Sequence, residues 1–277
     1  MLKRLMVLGV TMLLTASVSV TALASDLKIK DKVIREGAVK VVTPIFKGAD
    51  GGKDIDTMIT LQANKNTAIN LYSLLNGTEP KEMDEAFSPL FEEDQDKVKA
   101  SLNFMKGLAH AANVTLETQA KAAGKDFKTS KYYADASYNM YTTSSVMISY
   151  SQSVESYTGG EYDNEAVITT TVNLKNGKTL TLADMFLPGS DYKERLAWVI
   201  DKQQKGDARL KVNMGKPAVV YNKLAITGNE KFCLDSREIH GLGLIIFYNP
   251  GEIAPVSEGV VEYSIPIDTI FDIMADI

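Results

Sequence analysis

Leu244-Ile245-Ile246-Phe247-Tyr248-Asn249-Pro250-Gly251-Glu252-Ile253-Ala254-Pro255-Val256-Ser257-Glu258-Gly259-Val260-Val261-Glu262-Tyr263-Ser264-Ile265-Pro266-Ile267-Asp268 is the stretch whose reading decides the fold. Leu244 to Phe247 is the apolar run of a buried strand. Asn249-Pro250-Gly251 breaks it, and Val260 to Ile265 resumes as a second strand with Val261, Tyr263 and Ile265 on one face. The connection carries two prolines and two glycines and is too long for a tight hairpin. It predicts a shaped loop between rigid flanks, the kind of segment on which binding surfaces sit.

Working outward, the neighbouring text is also β-rich. Lys231 to Leu234 and the region from Ala218 to Ile226 predict strands leading into the quoted stretch, and a short helix around Asp268 to Met274 closes the chain. Upstream, Ser190 is a good helix cap for a stripe of Tyr192, Leu196, Val199 and Gln203 that also holds the only tryptophan, Trp198. Asn176-Gly177 is the strongest short hairpin signal, joining Ile168, Thr170, Val172 and Leu174 to Leu180 and Leu182. Thr158-Gly159-Gly160 is a turn. Before it, six tyrosines between Tyr132 and Tyr157 lie in two β-like runs joined near Thr143-Ser144.

The earlier chain changes character. After a charged lead-in from Asp26 to Lys32, Ala38 to Phe46 alternates as a strand with Val39, Val41, Thr43 and Ile45 on one face, and Pro44 places it on an edge. Asp54 can cap a helix bearing Ile55, Met58, Ile59, Ile69, Tyr72 and Leu75 that ends at Gly77. Ser88-Pro89 can cap a following helix striped by Val98, Leu102, Met105 and Ala109. Helices before residue 130 and antiparallel hairpins after it predict the α+β class: antiparallel sheets with helices packed on them, and a helical insertion at about 80–128.

The chain has 277 residues, 45% of them hydrophobic and 23% charged, which is globular composition with length enough for a sizeable core. Lys3 and Arg4, an apolar run from Leu5 to Val20 and Ala22-Leu23-Ala24 describe a signal peptide cut before Ser25; the alternative is an uncleaved membrane anchor. Losing Lys3 and Arg4 takes the basic count from 30 to 28 against 35 acidic residues, a mature charge of minus seven. That balance disfavours nucleic acid and anionic lipid as partners and favours a cationic one. Cys233 is the only cysteine, so no internal disulfide forms; between Phe232 and Leu234 it predicts a buried, inert thiol.

Chemistry is scarce. His110 is expected to end the second helix, where a cation is favoured, and His240 falls in a turn. No zinc-protease, nucleophile-elbow, phosphate-loop or dinucleotide motif is present, and no cofactor or metal is expected. Glu161, Asp163 and Glu165 beside Tyr162 have the acidity of a sugar-cleaving pair or a weak calcium loop, although the spacing does not match the calcium pattern. A carboxylate-based glycan hydrolase using Glu161 or Asp163 with Glu252 is therefore one alternative, and a structural subunit of an envelope assembly is another.

The quoted stretch, with Tyr157-Thr158-Gly159-Gly160 and the run from Val172 to Phe186, resembles a bacterial domain of unknown function that forms the extracellular part of RsiV-type anti-sigma factors. Ala38 to Phe46 and Ser137 to Gly160 are similar to an N-terminal module shared with PdaC-type peptidoglycan deacetylases. The resemblance implies an exported α+β module that binds rather than catalyses, with peptidoglycan or a cationic wall-active protein such as lysozyme as partner. The short lead before the apolar run implies no cytoplasmic segment for a sigma factor. The family commonly has an aromatic where this chain has Gly251, and often Ala-His where it has Glu161-Tyr162. The implied organisation is a signal peptide at 1–24, an N-terminal α+β module at 25–160 and a C-terminal RsiV-like domain at 161–277. The expected ligand-facing residues are Tyr157, Gly159, Gly160, Tyr162, Asn249, Pro250, Glu252 and Pro255.

Overall fold

The computed structural model describes residues 27–77, 81, 85, 96–205, 224–236 and 243–276. The expected signal peptide, the Ser88-Pro89 cap, the start of the strand expected from Ala218 and His240 lie outside them, while Leu224 to Ile226 belongs to no strand. The chain opens with β1 (Lys28–Glu36) and β2 (Val39–Lys47), an antiparallel pair. β1 occupies much of what its charges suggested was a lead-in. It is an edge strand whose residues are mostly in water, with Ile34 buried, and its lysines protect the open edge.

Two helices follow, α1 (Lys53–Asn76) and α2 (Lys97–Ala122). Gly52, not Asp54, precedes α1. It is Asp56 that ties the helix to its approach, accepting Gly48 N at 2.9 Å and Ala49 N at 2.8 Å. The helix ends as expected at Gly77, in the left-handed conformation. Asp96 caps α2 by accepting Lys99 N at 3.1 Å. His110 sits in the middle of α2 and not at its end; its Nδ1 lies 3.0 Å from Glu36 Oε1.

β3 (Tyr133–Thr143), β4 (Met147–Tyr157) and β5 (Asn164–Asn173) then complete a five-stranded sheet in the order β1-β2-β3-β4-β5. All neighbours are antiparallel except β2 and β3, which pair in parallel over Val39–Val41. Pro44 therefore lies within a strand that has neighbours on both sides, not on an edge. It is tolerated because the ladder to β3 covers Val39 to Val41, short of the proline. Val39, Val41, Ala134, Ala136 and Val154 pack against Ala68, Leu71, Met105, Ala109 and Leu116 of the two helices. The seam between α1 and the sheet is unusually polar, yet many of its groups are matched: Phe46 N donates to Thr60 Oγ1, Thr43 Oγ1 to Asn64 Oδ1, Asn66 Nδ2 to Thr170 Oγ1, and Gln152 Nε2 to Ala63 O.

After β5 the chain turns at Asn176-Gly177, but the returning strand amounts to one bridge, Val172 to Thr179. The 3₁₀ turn Leu182–Met185 takes over, started by a capping box of Thr181 and Asp184. Lys178 Nζ, foremost, and then the N–H and hydroxyl of Thr181 hold the Asp184 carboxyl down to about 2. Its folded value lies below the ordinary 3.8, so the stabilisation is present above 3.8 and is lost as pH falls through about 2. Asp184→Asn is expected to flatten the fall of melting temperature across that window; an unchanged slope would contradict this role.

α3 (Tyr192–Gln204) begins after Asp191 and not Ser190, and buries Leu196, Val199 and Ile200. Trp198 is not part of that stripe: it is 52% exposed. A second sheet of β6 (Lys231–Asp235), β7 (Gly243–Tyr248) and β8 (Val261–Pro266) is antiparallel in that order. The expected closing helix is instead two 3₁₀ turns, Ile267–Thr269 and Phe271–Ile273. Continuation is pre-empted by pairing with the segment after Leu182, through Leu187 N to Ile273 O and Ala275 N to Met185 O.

The second sheet lies on the face of the first that points away from α1 and α2, giving helix, sheet, sheet and helix layers. Tyr141 and Val167 meet Cys233, Ile245 and Phe247 between the sheets. Cys233 is fully buried there. The edge of β6 is finished by hydroxyls from the first sheet: Phe232 N donates to Thr169 Oγ1 at 2.9 Å, Leu234 N to Ser149 Oγ at 2.9 Å, and Thr142 Oγ1 to Leu234 O. The expected boundary at residue 160 falls in the turn between β4 and β5, which pair over ten residues.

Candidate functional site

The connection between β7 and β8 is fixed at both ends and exposed at its tip. Asn249 anchors the first end: its Oδ1 accepts Val167 N at 2.8 Å, its N–H donates to Glu252 Oε2 at 2.8 Å, and its carbonyl accepts Glu252 N at 3.0 Å. Lys231 Nζ, 2.6 Å from Glu252 Oε1, holds that carboxylate from the β6 side. At the second end Val260 N donates to Glu165 Oε2 at 3.1 Å. Between them Ala254 is buried against the core of the second sheet, and a 3₁₀ turn at Val256–Glu258 follows Pro255. Pro255, Val256, Ser257 and Glu258 are exposed. Gly251 has φ 83, a conformation that L side chains rarely adopt and glycine adopts freely.

The other expected residues lie in and beside the turn from β4 to β5. Tyr157 packs edge-on against Tyr132 with ring centroids 5.8 Å apart. Gly159 has φ 94, and a Cβ there would stand 2.2 Å from the Tyr132 hydroxyl, so both residues serve the packing of the turn. Gly160 is exposed. Tyr162 is 49% exposed, with its hydroxyl donating to Glu161 Oε1 at 3.1 Å. β5 links the two groups, because Glu165 and Val167 fasten the loop a few residues after the turn. No hydrogen bond or ion pair joins Glu161 or Asp163 to Glu252 among the described residues.

Register adds a feature that sequence reading missed. Asp135 of β3 is opposite Glu155 of β4, and Glu155 is opposite Glu165 of β5. Three carboxylates thus adjoin across the sheet, on the face opposite the helices and beside the loop that Glu165 anchors, and the row continues through Lys40 of β2, opposite Asp135, to Arg35 of β1, opposite Lys40. Asp135 and Glu155 are exposed. Tyr133 stands against this row. Burial pushes its hydroxyl pKa up, and the hydrogen bond to Glu155 with the charges of Glu155, Asp163 and Asp135 pushes it further. Like charges directly opposite one another destabilise a sheet by a few tenths to about 1 kcal/mol per pair; Lys40 offsets this at Asp135, while Glu155 has a carboxylate on both sides. Among the described residues no group of three or more His, Cys, Asp or Glu could hold a metal ion, and no helix is long and apolar enough to cross a membrane.

A family profile described as a protein of unknown function, DUF3298, matches residues 183–268, from within the 3₁₀ turn before α3 to just past β8. The chain is similar in fold to a solved member of that family from Bacteroides fragilis: TM-score 0.55, 17% identity, covering 91% of this chain and 95% of the other. A second solved DUF3298 protein, from Pseudomonas aeruginosa, aligns with TM-score 0.40 and 15% identity over 90% and 93% of the two chains. No curated protein matches the chain.

Proposed function

We propose that this protein is an exported binding module of the cell envelope that engages a cationic, wall-active protein of the lysozyme type and does so without catalysis. The observation that carries the reading is the loop Asn249–Gly259, locked at both ends by polar contacts and exposed at its tip beside the Asp135, Glu155 and Glu165 row. A segment fixed before contact loses little entropy on binding, and an acidic surface steers a basic partner toward it. The resemblance to the extracellular region of RsiV-type anti-sigma factors and to the accessory module of PdaC-type deacetylases points the same way. Peptidoglycan, whose peptides carry carboxylates, is the less suited partner for this face. Glu252 is engaged by Lys231 and by Asn249 N, so it is occupied as a loop brace rather than held ready as an acid or base.

The test is to titrate the chain from Ser25 onward separately with lysozyme and with purified peptidoglycan, at about 50 mM and about 200 mM salt, where screening differs by a factor of two in Debye length. Saturable lysozyme binding whose association slows as salt rises is the expected result. Binding to peptidoglycan alone, or no binding to either, would overturn the reading. Release of reducing sugar ends from peptidoglycan would instead establish the glycan-hydrolase alternative.

A further inference from the structure

The outward side of α3 borders a hollow of about 670 Å³ whose far wall is Leu224 to Ile226. Trp198 lines it, and it is odd in being so large, so apolar and 52% exposed on a helix whose core stripe is already supplied by Leu196, Val199 and Ile200. Lys202 Nζ lies 5.8 Å from the centre of the indole. Around the same hollow stand two carboxylates, Glu194 and Asp201, and two ammonium groups, Lys193 and Lys205, with Lys205 Nζ 2.8 Å from Asp201 Oδ2.

We propose that this hollow is a saccharide subsite in which Trp198 is the stacking platform. Its volume is within the range of ligand pockets, roughly 300–1,000 Å³. The lining narrows the chemistry. With Lys202 over the indole, three ammonium groups stand against two carboxylates, so a polyanion or a polycation would meet repelling as well as attracting charges. A wholly apolar ligand would strip water from four charged groups without replacing their hydrogen bonds. A pyranose ring offers one C–H face to an indole and a rim of hydroxyls that both donate and accept, which suits Glu194 and Asp201 as acceptors and Lys193 and Lys205 as donors. The hollow shares no residue with the Asn249–Gly259 loop, so this subsite stands or falls separately from the recognition of a cationic protein.

Trp198 is the only tryptophan, so its fluorescence reports the site directly. The probes are chitotriose and maltotriose, added to the chain from Ser25 onward up to about 10 mM, the range of weak single-site affinities. The expected result is a saturable shift in tryptophan emission with at least one of them. By calorimetry, Trp198→Ala should weaken that binding at least tenfold and Asp201→Asn severalfold. Because Trp198 is half exposed, Trp198→Ala should melt within a few degrees of the parent; were it to fail to fold, Asp201→Asn alone decides. No saturable response to either sugar, calorimetric binding unchanged in the variants, or a response confined to a hydrophobic dye would overturn the assignment.

Discussion

Phe247→Ala is expected to lower the free energy of unfolding by about 3–5 kcal/mol, the range for truncating a buried aromatic. Phe247 is 1% exposed and meets Tyr141 edge-on with ring centroids 5.9 Å apart. Its neighbours Val167, Cys233 and Ile245 come from both sheets, so the cavity would open between the layers rather than inside one of them. Each side is pinned by its own strand ladders, so the gap cannot close by local collapse. Urea unfolding followed by far-ultraviolet circular dichroism and by Trp198 fluorescence should show one shared transition at a lower midpoint. Two transitions, with only the fluorescence signal displaced, would mean that the sheets unfold independently and would sink this account of the interface.

The second large effect has opposite signs in two measurements. Asp135→Asn combined with Glu155→Gln removes two of the three negative charges in the cross-strand row. Two like-charge contacts are relieved and one attraction, Asp135 to Lys40, is lost, so stability should rise by a few tenths of a kcal/mol. The same change should slow association with lysozyme at low salt by about tenfold or more, because the steering field weakens. The amide oxygen that Glu155→Gln leaves in place can still accept from the Tyr133 hydroxyl, so the local packing is preserved. A fall in stability, or an association rate that does not move, would show that the row is not held at a cost for a cationic partner.

Much of the second half of the fold was readable because its strands alternate cleanly and its turns use strong signals. Tyr132 to Tyr157 reads as a hairpin and folds as one, and the apolar run ending at Tyr248 becomes the central strand of the second sheet. β1 was hidden for a physical reason: an edge strand with little burial needs few apolar residues, and its charges look like a linker. The closing helix failed because main-chain pairing with the Met185–Leu187 segment outcompeted local propensity. Spacing groups Trp198 with its helix stripe, yet one step around the helix turns it outward. For the candidate site, the loop and its prolines were legible, while the acidic row was not. Asp135, Glu155 and Glu165 are outward positions of three separate strands, and only the register makes them neighbours.

The hydroxyls that finish the edge of β6 bear on how the chain can be cut. Thr142, Ser149 and Thr169 all precede residue 183, where the DUF3298 match begins. Cut out alone, the stretch that the profile matches would leave Phe232 N, Leu234 N and the Leu234 carbonyl without these partners. Its outermost strand is completed by groups borrowed from the neighbouring layer, so a cut between the two would expose polar main chain on β6 as well as apolar surface.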